Sequence, residues 1–177
     1  NLKPNELLNK LHKAEPLPNL IMLMGKEAFF RSQLLAAIPE YVFAEVEAAD
    51  REIHLFDKDT NLFELEGVIN SFPFFCGKSL VILRDEKLWG GKQDSDAKKQ
   101  QMLKLLKILS DIPEYCTVVL SATELKKTTK FYKDLATKAV VCDCESIKQK
   151  DLPGWLNSHA SALGGSFEGE AIAVIME

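Results

Sequence analysis

The chain has 177 residues, of which 46% are hydrophobic, and 22 basic against 26 acidic side chains give a formal net charge of −4. That is apolar material for one proper core. At about 100–200 residues per domain, the length allows one domain, or one domain and a piece of a second. The charge excludes a chain that is simply a polyanion-binding tail, and no run approaches the ~20 apolar residues that span a bilayer.

Taken in order, Asn1-Leu-Lys-Pro4 lacks the shape of a signal peptide. Pro4 to Lys13 reads as a first helix, with proline in the first position and Leu7, Leu8 and Leu11 as one apolar stripe. Leu20-Ile-Met-Leu-Met24 is an unbroken apolar run ending at Gly25, the pattern of a buried strand entering a turn. Glu27 to Ile38 follows as a helix, and Pro39 is expected to kink it or to start another reaching about Val46. Arg51 to Phe56 alternates as a second strand, less buried than the first. Asp59 or Thr60 is expected to cap a helix from Leu62 to Ile69.

Asn70 to Glu86 is the stretch around which the chain is organised. Ser79 to Leu83 reads as a central strand of a parallel sheet, closed by Arg84, Asp85 and Glu86. Before it, Phe72, Phe74 and Phe75 crowd around Pro73, ahead of Gly77. So much aromatic surface must either tuck into the core or be offered to a partner.

Lys87 to Lys99, with Gly90-Gly91 and Asp94-Ser95-Asp96, is expected as a mobile loop. Met102 to Leu109 repeats Leu103, Leu106 and Leu109 as a helix. Cys116 to Ser121 is a fourth strand, Thr128 to Thr137 a basic helix and Ala139 to Cys142 a fifth strand. The alternation predicts an α/β fold, a five-stranded parallel sheet with helices on both faces, whose ligands would bind beyond the strands' carboxyl ends. After Asp143 the chain turns helical. Asp151 is expected to cap a helix that Gly164-Gly165 breaks, and Glu168 to Glu177 to begin another. This predicts a second, helical domain that the chain enters and does not complete.

Candidate chemistry is sparse. A phosphate loop needs G-x-x-x-x-G-K-[ST] after the first strand. Here Gly25-Lys-Glu-Ala-Phe-Phe-Arg-Ser32 lacks the second glycine, and Glu27 places a carboxylate where phosphate would sit at the helix start. Gly25, Lys26 and Glu27 are therefore read as a degenerate nucleotide site that does not hold ATP. Asp85 and Glu86 match a Walker B pair in outline, but charges closing a buried strand is the favoured reading. His12, His54 and His159 lie on separate elements, and no nucleophile motif accompanies them.

The four cysteines, Cys76, Cys116, Cys142 and Cys144, lack zinc spacing and read as buried thiols in a reducing cytoplasm, with Cys144 structural rather than reactive. Lys126, Lys127, Lys130, Lys133 and Lys138 flank Phe131 and Tyr132. An amphipathic helix with Phe131 and Leu135 inside is preferred over a nucleic-acid surface. Glu40 to Glu66 carries nine acidic residues against Arg51 and Lys58, a charged face that is more often solvated surface than a steering device.

In order and spacing, several of these pieces resemble one family. They are Leu20 to Phe29, Ser71 to Asp85, Thr117-Val-Val-Leu-Ser121, Phe131-Tyr-Lys133 with Val140-Val141, and Leu152-Pro-Gly-Trp-Leu156. Together they resemble the delta subunit of bacterial DNA polymerase III, a clamp-loader subunit, along essentially the whole chain. The resemblance implies an AAA+/P-loop-like domain over 1–144 without a functional P-loop. It also implies the beginning of a small helical lid domain over 145–177, with the family's collar domain absent.

It further implies a non-catalytic, cytoplasmic subunit of the polymerase holoenzyme, with no cofactor and no metal. Its implied partners are the sliding clamp (the beta subunit), the gamma/tau and delta prime subunits, and primed DNA through the assembled complex, with no membrane. The family's clamp-binding pair, typically Leu-Phe, falls on Phe74 and Phe75 beside Pro73, with Phe72 and Gly77 supporting the loop. Phe for Leu keeps bulk and bears on affinity. Two readings from the residues stay open: an active P-loop-like ATPase using Lys26, Asp85 and Glu86, and an α/β interaction domain unrelated to replication.

Overall fold

The computed structural model describes residues 1–90, 95–145, 152–162 and 164–166. The chain divides into two compact units, Asn1–Glu145 and Ser146–Glu177.

The first unit is built on five parallel strands: β1 (Leu20–Met24), β2 (Glu52–Phe56), β3 (Ser79–Leu83), β4 (Cys116–Ala122) and β5 (Val140–Asp143), in the order β2-β3-β4-β1-β5. The most apolar strands take the middle. β1 is buried at every position, and β4 at all but one. β2 alternates between half-buried and exposed because it forms an edge of the sheet. This matches its expectation as the less buried strand. The focal strand β3 is interior, between β2 and β4.

Helices cover both faces. Met22, Val81, Val118 and Leu120 share one core with Leu65 and Ile69 of α3 (Leu62–Asn70), Leu105 and Ile108 of α4 (Asp96–Ser110), and Phe131 and Leu135 of α5 (Lys130–Ala136). The alternate strand residues Ile21, Leu23, Leu80 and Val119 point the other way. There, α1 (Pro4–His12) and α2 (Ala28–Val42) bury Leu7, Leu11, Phe30, Leu34 and Ile38.

Several boundaries differ from expectation. α2 runs through Pro39 to Val42 without a second helix, because Ile38, Val42 and Phe43 are all buried and hold the last turn against the loss of one backbone bond. The cap of α3 is Asn61, whose Oδ1 accepts from the N–H of Phe63 at 2.8 Å. Asp59 instead pairs with Lys87, and Thr60 donates its N–H to Asp85. The stretch after β3 is not a plain loop. Glu86–Leu88 forms a 3-10 turn, and Leu88 and Trp89 are buried. Ser95 then starts α4 by accepting from the N–H of Lys98. Residues 91–94, within the stretch expected as a mobile loop, lie outside the described residues. The buried stripe of α4 is Met102, Leu105, Ile108 and Leu109, while Leu103 is exposed.

In the second unit, α6 (Leu152–Ala162) is described, with Pro153 in its first turn. Gly164 at φ 78° and the Gly165 N–H bonded to the Ala160 carbonyl at 2.8 Å close the helix end, as glycine in the left-handed region commonly does. The expected cap at Asp151 and the helix from Glu168 lie outside the described residues.

Candidate functional site

Two loops at opposite edges of the sheet hold the residues singled out above. One precedes β3, at the strands' amino ends; the other follows β1, at their carboxyl ends.

The loop before β3 starts where α3 stops. Ser71 takes an extended backbone and Pro73 follows, so the helix cannot continue. Tyr115, just ahead of β4, closes the end by donating its hydroxyl to the Asn70 carbonyl at 2.8 Å. Its own carbonyl accepts the N–H of Ser79 at 2.9 Å, tying the loop's far end to the same residue. Pro73 is buried and anchors the middle. Gly77 sits at φ 66°, a left-handed position that suits glycine as the turn enters β3.

Between these anchors the three aromatic rings point outward. Phe74 is 88% exposed, Phe75 74% and Phe72 70%. Of the two fates open to this surface, tucking into the core does not occur: Pro73 takes the inward position and all three rings stay outside. Phe72 is held from one side, its ring edge-on to Tyr115 at 5.2 Å between centroids. Phe74 and Phe75 stand edge to face at 5.4 Å and form one apolar knob. Aromatic pairs in this geometry prefer each other to water, yet most of their surface stays wet until something covers it.

The turn after β1 is the opposite case. Gly25, at φ 134°, donates its N–H to Ala122 at 3.0 Å. A Cβ there would lie 2.2 Å from the Cys144 carbonyl oxygen, so only glycine fits. That carbonyl accepts the Glu27 N–H at 3.0 Å, and the Cys144 N–H bonds Met24. The turn is thus laced to the end of β5. Glu27 caps α2, its carboxylate accepting from the N–H of Phe29 at 3.4 Å, the place where a phosphate would be held. Lys26 turns away to an ion pair with Glu124 at 2.6 Å, which raises its pKa.

Asp85 and Glu86 are also spoken for. Asp85 is buried and accepts from the N–H groups of Thr60 at 2.9 Å and Lys87 at 3.1 Å. Burial pushes its carboxyl up, but these bonds outweigh it and hold the pKa below the ordinary carboxylate value. Glu86 accepts from both the N–H and the hydroxyl of Thr123.

The remaining candidates fall in the core. Phe131 and Tyr132 are buried, so the lysines around them form no aromatic-lined surface. Cys142 and Cys144 are buried side by side, and the hydrogen bond between them raises the first thiol and lowers the second. Among the described residues, no group of three or more His, Cys, Asp or Glu could hold a metal, and no helix is long and apolar enough to cross a membrane.

Sequence reasoning missed Tyr115, which supports both ends of the aromatic loop. Its signal was available in the strand order: pairing Ser79 with Cys116 places the residue before β4 beside the residues before β3.

A family model described as "DNA polymerase III, delta subunit" matches residues 22–145. Among solved structures, the chain is similar to the Bacillus subtilis DNA clamp loader delta protein (YqeN), with a TM-score of 0.76 and 20% identity over 96% of this chain and 50% of that one. A gamma subunit-related protein of DNA polymerase III from Thermotoga maritima gives a TM-score of 0.52 at 17% identity, covering 93% of this chain and 55% of that one. Domain III of the replication initiation protein DnaA from Thermotoga maritima gives 0.50 at 10% identity, covering 98% and 74%. These likenesses carry the fold, a five-stranded parallel sheet with helices on both faces, and the chain spans about half the length of the Bacillus subtilis protein. The comparison with curated proteins gives no match.

Proposed function

The chain belongs to the DNA polymerase III delta subunit family, and from that premise we propose that it binds the sliding clamp through Phe74 and Phe75 and favours the clamp's open form. It does so as a non-catalytic clamp-loader subunit. In this reading, 1–144 is an AAA+-like core without a working nucleotide site, and 145–177 begins a helical lid. The gamma/tau and delta prime subunits and primed DNA are partners of the whole protein in its assembly.

The observation that carries the reading is the exposed Phe74–Phe75 knob on an anchored loop. Burying a phenylalanine ring fully contributes roughly 1.5–3 kcal/mol. A knob of two rings is thus a fitting anchor for an apolar pocket, the kind of centre on which interface energy concentrates. Opening needs more than affinity: the subunit shifts the ring only so far as it binds the open form better than the closed one.

The closed turn at Gly25–Glu27 supports a role without ATP. Its Gly25 and Glu27 amides are used by the protein itself, its lysine is paired, and its helix start is filled by Glu27. Ring opening is measured directly with a cognate clamp carrying a fluorophore pair across one subunit interface. The reading expects the chain alone, without nucleotide, to separate the pair. A clamp that stays shut, or opens only with ATP, overturns it.

A further inference from the structure

Counted from Gly25, the pattern G-x-x-x-x-G-K-[ST] puts Phe30 at the second glycine, Arg31 at the lysine and Ser32 at the hydroxyl. The backbone cradle is gone, but a cation and a hydroxyl keep their places one turn into α2. Ala28, Arg31, Ser32 and Leu35 are spaced three and four apart, so they share one face of that helix. This face encloses a cavity of about 180 Å³ with the ends of β3 and β4. Arg84 and Glu86, just past β3, and Ser121 and Thr123, at the end of β4, complete its walls.

The polar groups of this cavity are not all matched to one another. Ser121 is buried, yet its hydroxyl has no hydrogen-bond partner among the described residues. The half-buried Arg31 guanidinium likewise has no ion pair or hydrogen bond among the described residues. Arg84 is half exposed and reaches Asp57 only at 3.8 Å. One oxygen of Glu86 accepts from the Thr123 N–H at 2.6 Å and from its hydroxyl. The other has no donor among the described residues. Polar groups withdrawn from water without partners are costly, and a ligand that bonds them removes the cost.

Charge and size select that ligand. Two guanidiniums line the cavity against one carboxylate, and their planar forks of donors suit an oxyanion. At about 30 Å³ per molecule the space equals about six waters, well under the roughly 300–1,000 Å³ of pockets for larger ligands. A phosphate ion fits and a nucleotide does not. Glu86 narrows the choice further. Its free oxygen repels a fully ionised oxyanion but accepts a hydrogen bond from one that keeps a proton. Near neutral pH phosphate keeps a proton, and sulfate has none.

We propose that this cavity is a binding site for inorganic phosphate. Arg31 and Arg84 hold the ion's unprotonated oxygens, the Ser32 and Ser121 hydroxyls donate to it, and Glu86 accepts from its P–OH group. The site is independent of the Phe74–Phe75 contact.

The test is calorimetry of the chain with sodium phosphate, beside sodium sulfate at matched ionic strength. Phosphate should bind saturably with a Kd of about 1 mM or tighter, and at least about tenfold tighter than sulfate. Arg31→Ala should weaken phosphate binding at least about tenfold, and Arg31→Lys should recover part of it. Both variants should melt in chloride close to the parent, since this guanidinium gives up no partner within the chain. Glu86→Gln should bring sulfate level with phosphate, because the amide no longer selects for a proton on the ligand. ATP should not displace phosphate, since Glu27 occupies the helix start that its other phosphates would need. The proposal is overturned if phosphate does not bind saturably, if sulfate binds the parent as tightly, if Arg31→Ala leaves the affinity unchanged, or if ATP competes at similar concentrations.

Discussion

The two edges of the sheet have taken opposite courses. At the carboxyl edge, where ligands of such sheets usually bind, groups that would greet a nucleotide have found partners inside the chain. The Gly25 and Glu27 amides bond backbone carbonyls, Glu27 fills the helix start, and Lys26 and Glu86 pair with Glu124 and Thr123. At the amino edge, the loop of Phe72 to Phe75 is firmly anchored through Pro73 and Tyr115, yet leaves its largest apolar surface uncovered. A binding site is recognised by what the fold leaves unsatisfied. By that measure the Gly25 turn is closed, and the aromatic loop is where apolar surface is left uncovered.

The largest effect that would sharpen the contrast is on clamp affinity. Phe74→Ala with Phe75→Ala should weaken binding by about 3–6 kcal/mol, a hundredfold or more, as read by calorimetry. Because both rings are exposed, the melting temperature should stay where it was. A fall in melting temperature without loss of binding would make the rings structural and break the comparison.

Next is Gly25→Ala. The added Cβ meets the Cys144 carbonyl at 2.2 Å on a backbone at φ 134°, so unfolding free energy should fall by about 2–4 kcal/mol in denaturant titration. No change would mean that the turn is open rather than laced shut. Asp85→Asn comes third, at about 1–3 kcal/mol, since a buried acceptor loses its charge. Its pH dependence has a definite sign. The folded carboxyl lies below its ordinary value of 3.8, so its contribution is complete above that value and is lost as pH falls through the lower folded value. The variant should lack this part of the acid limb in thermal melts. The smallest effect is Lys26→Ala: its pair with Glu124 is largely exposed and screened by solvent, and thermal melts should show no measurable change in stability. Magnesium and ATP should not raise the melting temperature of either chain.

Much of this was legible in the residues. The unbroken apolar run of β1 fell where the strand lies, because a strand buried on both faces has no polar position to blur its limits. The missing second glycine and Glu27 foretold a helix start occupied by its own carboxylate. What escaped depended on neighbours distant in sequence. Asn61 and Asp59 are both residue types that cap helices, but Asp59 takes a left-handed backbone and pairs with Lys87, while Asn61 has the extended backbone of a cap. Leu103 and Leu109 read as one stripe in the sequence, but only Leu109 joins Met102, Leu105 and Ile108 inside, because packing against the sheet turns Leu103 outward. The outward turn of Phe72 hung on Tyr115, which sequence places far away and strand pairing brings beside it.

The most direct test is the footprint of the cognate clamp on the chain, read by amide hydrogen exchange in the complex. The account predicts slowed exchange confined to the loop from Ser71 to Lys78, with Gly25 to Glu27 unchanged. Protection at the Gly25 turn with none at the loop would contradict it and return the contact to the carboxyl edge of the sheet.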